Sequence, residues 1–144
     1  MEVTSTHELL KGIYKNATTG SESTRLLLSK TSDNHLRGLL ENQISQYDSI
    51  AAEAEKELTY LNEEPYTIGA ISKAQLWTSI QMSTMTNQNT SHLAQMMVEG
   101  NNMGIIETTK LMNDYTDADQ ASKNLGNQLV QFESACIDSY KMFL

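Results

Sequence analysis

One stretch of this chain occurs twice. Glu22-Ser23-Thr24-Arg25-Leu26-Leu27 and Glu107-Thr108-Thr109-Lys110-Leu111-Met112 share acid, hydroxyl, hydroxyl, base, apolar, apolar at the six positions. Each copy precedes a second related phrase, Gln43-Ile44-Ser45-Gln46-Tyr47-Asp48-Ser49-Ile50 in the first half and Glu133-Ser134-Ala135-Cys136-Ile137-Asp138-Ser139-Tyr140 in the second. A helix with one apolar stripe must bury it against another helix. Two similar helical hairpins in 144 residues therefore predict one all-α domain over 1–144, an antiparallel four-helix bundle built by duplication.

The rest of the chain supports helices and sets their limits. There is one proline, and Leu, Met, Ala, Gln and Glu are common. Main helices are predicted over about 5–30, 33–62, 91–115 and 118–143, with an extra helix within 68–88 in the middle connection. In the first, Leu10, Ile13, Ala17, Thr24, Leu27 and Leu28 recur near a 3.6 period; Thr4 or Thr6 is the expected N-cap, and Gly12 and Gly20 fit close approach of another backbone. The second has the clearest stripe, from Leu36, Leu39, Leu40, Gln43 and Tyr47 to Leu58 and Leu61; Ser32 or Asp33 caps it and Glu63-Glu64-Pro65 ends it. The polar run Thr86–Ser91 predicts a break, with Thr90 or Ser91 capping the next helix. The alternative is one helix from Ile71 to Tyr115, roughly 67 Å long at the usual rise. Gly100 and Gly104, four apart, are expected to admit a neighbour.

A net charge of −8 opposes binding to nucleic acid and to anionic membranes. Cys136 is the sole cysteine, so no internal disulfide forms. The start, Met1-Glu2-Val3-Thr4-Ser5-Thr6, has neither the basic nor the apolar region of a signal peptide, and no apolar run approaches the ~20 residues that span a bilayer. A cytoplasmic location is expected.

Several phrases resemble the ferritin-like superfamily, and within it a group of small, uncharacterised four-helix-bundle proteins of anaerobic Gram-positive bacteria. They are Ile13-Tyr14-Lys15-Asn16-Ala17, Gln46-Tyr47-Asp48-Ser49-Ile50-Ala51, Trp77-Thr78-Ser79-Ile80-Gln81-Met82, and Ser91-His92-Leu93-Ala94-Gln95-Met96-Met97 running on through Glu99-Gly100-Asn101-Asn102-Met103-Gly104-Ile105. The resemblance spans nearly the whole chain and implies a fold, with no activity attached. Di-iron members use one Glu from each of two helices and Glu-x-x-His from the other two. Here the single-Glu positions fall on Glu22 and Glu107, and the paired motifs on Gln43…Gln46 and Glu133…Cys136. Both histidines are missing and one glutamate is glutamine, a neutral amide that ligates weakly. The site is degenerate: no cofactor is expected, and iron or manganese is the alternative.

Gln43, on the apolar stripe, must find a hydrogen-bond partner; Tyr14, Thr24, Glu133 or water are within the bundle's reach. Cys136 lies on an apolar face and reads as a buried, inert thiol. His7, His35 and His92 have no metal spacing, and the methionines at helical spacing read as packing. The functional reading is a non-catalytic interaction or assembly module rather than an enzyme. The alternatives are a diverged iron- or manganese-binding protein and a bundle that binds a small ligand. The helix over 91–115 is apolar on two sides, which predicts a homodimer joined over residues 71–105 through Trp77, Ile80, Met82, Met85, Val98 and Ile105.

Overall fold

The computed structural model describes residues 3–61, 80 and 87–144. These form four α-helices, α1 (Val3–Leu28), α2 (Asn34–Tyr60), α3 (Thr90–Asp114) and α4 (Gln120–Tyr140), followed by a short 3₁₀ turn, Lys141–Phe143. No strand occurs among the described residues. The predicted all-α architecture and the four main helices are observed. The extra helix predicted within 68–88 lies, apart from Ile80 and the coil at 87–88, outside the described residues, as do Trp77, Met82 and Met85.

Side-chain caps set three of the helix starts. Asp33 is extended (φ −71°, ψ 123°) and its carboxylate accepts from Leu36 N at 2.8 Å, as one of the two predicted caps for α2. The cap of α3 is Asn89, and not Thr90 or Ser91. Its backbone is extended (φ −70°, ψ 156°) and its side-chain oxygen accepts from His92 N at 2.8 Å. Asparagine outranks threonine as a cap, and the extended Asn89 rules out one helix running unbroken to Tyr115. Asp119 caps α4 through Ser122 N at 2.8 Å, so α4 begins two residues later than predicted. Thr6 caps nothing. It sits buried inside α1, where its hydroxyl oxygen accepts from Asp119 N at 2.8 Å and ties the start of α1 to the turn before α4.

The buried apolar side chains form two clusters. One contains Leu9, Leu10, Ile13 and Ala17 of α1, Tyr47, Ile50, Ala54 and Leu58 of α2, and Leu125 and Leu129 of α4. The other contains Leu27, Leu36, Leu40, Leu93, Ala94, Met97, Cys136 and Tyr140, with Ile80 packed among them. Between the two clusters lies a set of buried polar residues, Ser21 and Thr24 on α1, Gln43 on α2, Asn101 on α3 and Glu133 on α4, with the apolar Ile44 beside Gln43. The core is thus apolar, then polar, then apolar. α1 and α2 are further joined on their outer side, where Asp48 accepts from Ser21 Oγ and from Arg25 Nη2, each at 2.5 Å.

The cap assignment is directly testable. Asn89→Ala should cost about 1 kcal/mol in urea unfolding, whereas Thr90→Ala and Ser91→Ala should stay within about 0.5 kcal/mol of the parent. Equal losses at Asn89 and Thr90 would place the cap elsewhere.

Candidate functional site

The polar layer is built by two tyrosines. On α2, Gln43 and Tyr47 stand one turn apart; on α4, Glu133 and Tyr140 stand two turns apart. Tyr47 Oη donates to Glu133 Oε2 at 2.6 Å, and Tyr140 Oη donates to Gln43 Oε1. The same two helices therefore exchange a pair of buried hydrogen bonds, each giving one tyrosine and receiving the other. From α3, Asn101 Nδ2 donates to Tyr47 Oη at 2.8 Å, so the Tyr47 hydroxyl both accepts and donates. All five side chains are buried.

Two glycines make room for this network. At Gly20 an added Cβ would come within 2.5 Å of Cζ of the Tyr47 ring, and at Gly104 within 2.5 Å of Glu133 Oε1. The neighbour at Gly20 is thus a side chain, as it is at Gly12, which faces Leu111; the sequence had pointed to a backbone. Gly100 has open space where a Cβ would go, so only Gly104 of that pair admits a neighbour. Phe132 packs edge-on against the Tyr47 ring, with centroids 4.8 Å apart.

Burial dominates the electrostatics. It pushes the Glu133 carboxyl up to about 7 against the opposing hydrogen bond of Tyr47 and the nearby Asn101 amide, with the Glu107 carboxylate adding to the rise. Burial, followed by the neighbouring Glu133, pushes the Cys136 thiol up to about 12, so the sulfur is held protonated and unreactive. The same desolvation raises Tyr47 and Tyr140, which stay neutral donors.

Beside this network lies a cavity of about 480 Å³. Tyr47, Asn101 and Glu133 contribute buried polar groups to it, Thr24, Leu27, Ile80, Met96 and Met97 line its walls, and the exposed Lys15, Glu99, Met103 and Glu107 lie at its rim. Two acceptors in it have no hydrogen-bond partner among the described residues, Glu133 Oε1 and Asn101 Oδ1.

The six residues of the degenerate metal pattern divide here. Gln43, Glu133 and Cys136 are buried. Gln46 is exposed and donates to Asn42 Oδ1 at 2.6 Å; Glu107 is exposed at the cavity rim; Glu22 is half-buried on α1 and does not line the cavity. This set does not fit a di-iron centre. The Gln43 oxygen is occupied by Tyr140 and one Glu133 oxygen by Tyr47, which leaves one inward carboxylate oxygen where a dinuclear site needs several. The Gln43 oxygen is partnered by Tyr140, and not by Tyr14, Thr24 or Glu133. Tyr47, Tyr140 and Asn101 were missed as site residues, because tyrosine at an apolar position reads as core. Asn101 carried a signal, since it extends the Leu93–Met97 spacing by one further turn.

Compared with models of known protein families, with curated proteins and with solved structures, the chain matches none.

Glu133 gives stability a pH dependence whose sign follows from its direction. Its folded value, about 7, lies above the ordinary 4.5, so the folded state holds this proton more tightly. The contribution is full below about pH 4.5 and is lost as pH rises through 7, a loss on the order of 3 kcal/mol. Glu133→Gln, isosteric and uncharged, should abolish this slope. The wild-type stability minus that of the variant, measured by urea unfolding, should fall between pH 4.5 and 8. A constant difference would show that the fold does not raise Glu133 above its ordinary value.

Proposed function

We propose that this chain is a ferritin-like antiparallel four-helix bundle whose degenerate metal position has become a binding cavity for a small organic ligand. The observation that carries the reading is a pair of buried acceptors, Glu133 Oε1 and Asn101 Oδ1, with no partner among the described residues, on a cavity of about 480 Å³. Small-molecule sites are typically about 300–1,000 Å³, mostly apolar, with a few fixed polar groups, and this cavity has that character. A buried acceptor left without a donor costs about 1–3 kcal/mol, which a bound donor would offset. The role is binding rather than catalysis: the tyrosine protons are committed to hydrogen bonds and the thiol of Cys136 stays protonated. A cytoplasmic setting agrees with the single buried thiol. Among the described residues, no helix is long and apolar enough to cross a membrane.

The cavity is tested by titrating ¹⁵N-labelled protein with n-hexanol, a neutral probe. Saturable shifts confined to the amides of Leu27, Met97, Asn101 and Gly104, and absent in a cavity-filling Met97→Trp variant, are the expected result. Shifts scattered over the surface, or absent with n-hexylamine as well as with n-hexanol, would reject a binding cavity.

Self-association is a second reading, favoured by the exposure of two large apolar side chains on α3, Met103 (63%) and Ile106 (47%). Beside them Ile105 is half-buried; Val98 packs against the chain's own second core cluster, and Ile80 is buried within it. The proposed two-fold homodimer contact accordingly centres on Met103, Ile105 and Ile106. Light scattering after size exclusion should give about twice the monomer mass of 16.1 kDa at micromolar concentration, and Ile106→Glu should restore the monomer. A parent mass of 16.1 kDa would reject the dimer.

A further inference from the structure

The cavity's polar groups carry information about the ligand's head. The Tyr47 hydroxyl donates its hydrogen bond to Glu133 Oε2, and the Asn101 amide nitrogen is turned to Tyr47 Oη. What these groups present without a partner among the described residues is one carboxyl oxygen and one amide oxygen, both buried, and both acceptors once Glu133 is ionised. A ligand that satisfies them must bring donors. A carboxylate or phosphate would bring more acceptors, and would meet Glu133 with Glu99 and Glu107 at the rim, where Lys15 is the one cation among the described residues. An ammonium group supplies three donors on one atom and the positive charge that a buried carboxylate lacks. The chain's net charge of −8 also favours the approach of a cation. The walls set the other end: Leu27, Ile80, Met96 and Met97 are apolar, and the methionine side chains adapt to irregular shapes.

We infer that the cavity binds an amphipathic primary amine in its ammonium form, with the head on Glu133 Oε1 and Asn101 Oδ1 and the hydrocarbon against Leu27, Ile80, Met96 and Met97. This rests on the cavity being a ligand site and adds the chemical class of the ligand. The groups that face Glu133 are Tyr47 from α2, Asn101 and Glu107 from α3, and Cys136 on its own helix, with Lys15 of α1 at the rim. Tyr47 and Cys136 stay protonated throughout the neutral range, so the carboxyl of Glu133 is the group that develops charge beside the ligand head.

The probes are n-hexylamine, n-hexanol and hexanoate, which share a six-carbon size and differ in the head. Calorimetric titration at pH 8, where an alkylamine with a pKa of about 10 is charged, should give hexylamine at least about tenfold tighter than hexanol, with hexanoate weakest. Lowering the pH to 5.5 protonates Glu133 and should shrink the preference of amine over alcohol severalfold. Glu133→Gln, with its helix content checked by circular dichroism, should reduce that preference to near unity at both pH values. Hexanol binding as tightly as hexylamine would overturn the amine inference while leaving the ligand cavity standing. So would an amine preference that is unchanged by pH in the wild-type protein, a readout that does not need the variant to fold. Failure of all three probes to bind would overturn both the inference and the cavity reading beneath it.

Discussion

The structure depends on a reciprocal exchange of hydrogen bonds between α2 and α4. Tyr47 reaches from α2 to Glu133 on α4, and Tyr140 reaches back from α4 to Gln43 on α2. Apolar packing alone leaves helices free to slide by a turn at small cost. A buried carboxyl and a buried amide remove that freedom, since each strands its polar atoms unless its tyrosine is opposite. The two bonds fix the axial register of α2 against α4, and Asn101 brings α3 into the same register through the Tyr47 hydroxyl. Gly20 and Gly104 follow from this constraint, because a methyl group at either would crowd the Tyr47 ring or the Glu133 carboxyl.

The same layer explains why there is a cavity. Above and below it, leucines, isoleucines and alanines fill the space between helices; within it, Ser21, Thr24, Gln43, Asn101 and Glu133 replace them. Polar groups in a core must meet partners at defined angles and cannot simply collapse to fill volume. The network satisfies Tyr47, one oxygen of Glu133 and the oxygen of Gln43, but leaves two acceptors on the side toward α1 and α3. In the proposed reading, register and ligand chemistry share one set of residues: Glu133 is held by one oxygen, and the other would meet the ligand.

The repeated stretches illustrate how far the sequence could be followed. Gln43 and Glu133 occupy corresponding positions of the second phrase, and both are buried and held by a tyrosine from the other helix. The first phrase does not carry over as faithfully. Thr24 is buried, whereas its counterpart Thr109 is half-buried and the buried threonine is Thr108, whose hydroxyl accepts from Asn16 Nδ2 at 3.1 Å. A one-residue offset turns a helical side chain by about 100°, so similarity of residue type does not guarantee similarity of facing. Gln46 and Cys136, also counterparts, end respectively in solvent and in the core, although each stands three residues after a buried counterpart.

What the sequence determined by itself was local. The 3.6-residue period of Leu36, Leu40, Gln43, Tyr47, Ile50 and Leu58 sets a helix and the face it buries. Asp33 ends a loop because its carboxylate reaches a backbone N–H three residues on, and Pro65 follows the end of α2. Burial of Gln43 and Cys136 follows from the stripe each sits on. Only the tertiary structure decided which groups answer them. Tyr140 and Gln43 are separated by 97 residues, Tyr47 and Glu133 by 86, and Asn101 and Tyr47 by 54. Those pairings depend on the axial offset between helices. That offset is set by the summed packing of all four helices and has no periodic signature in any one of them. The cavity, its two open acceptors and the raised Glu133 exist at that level alone.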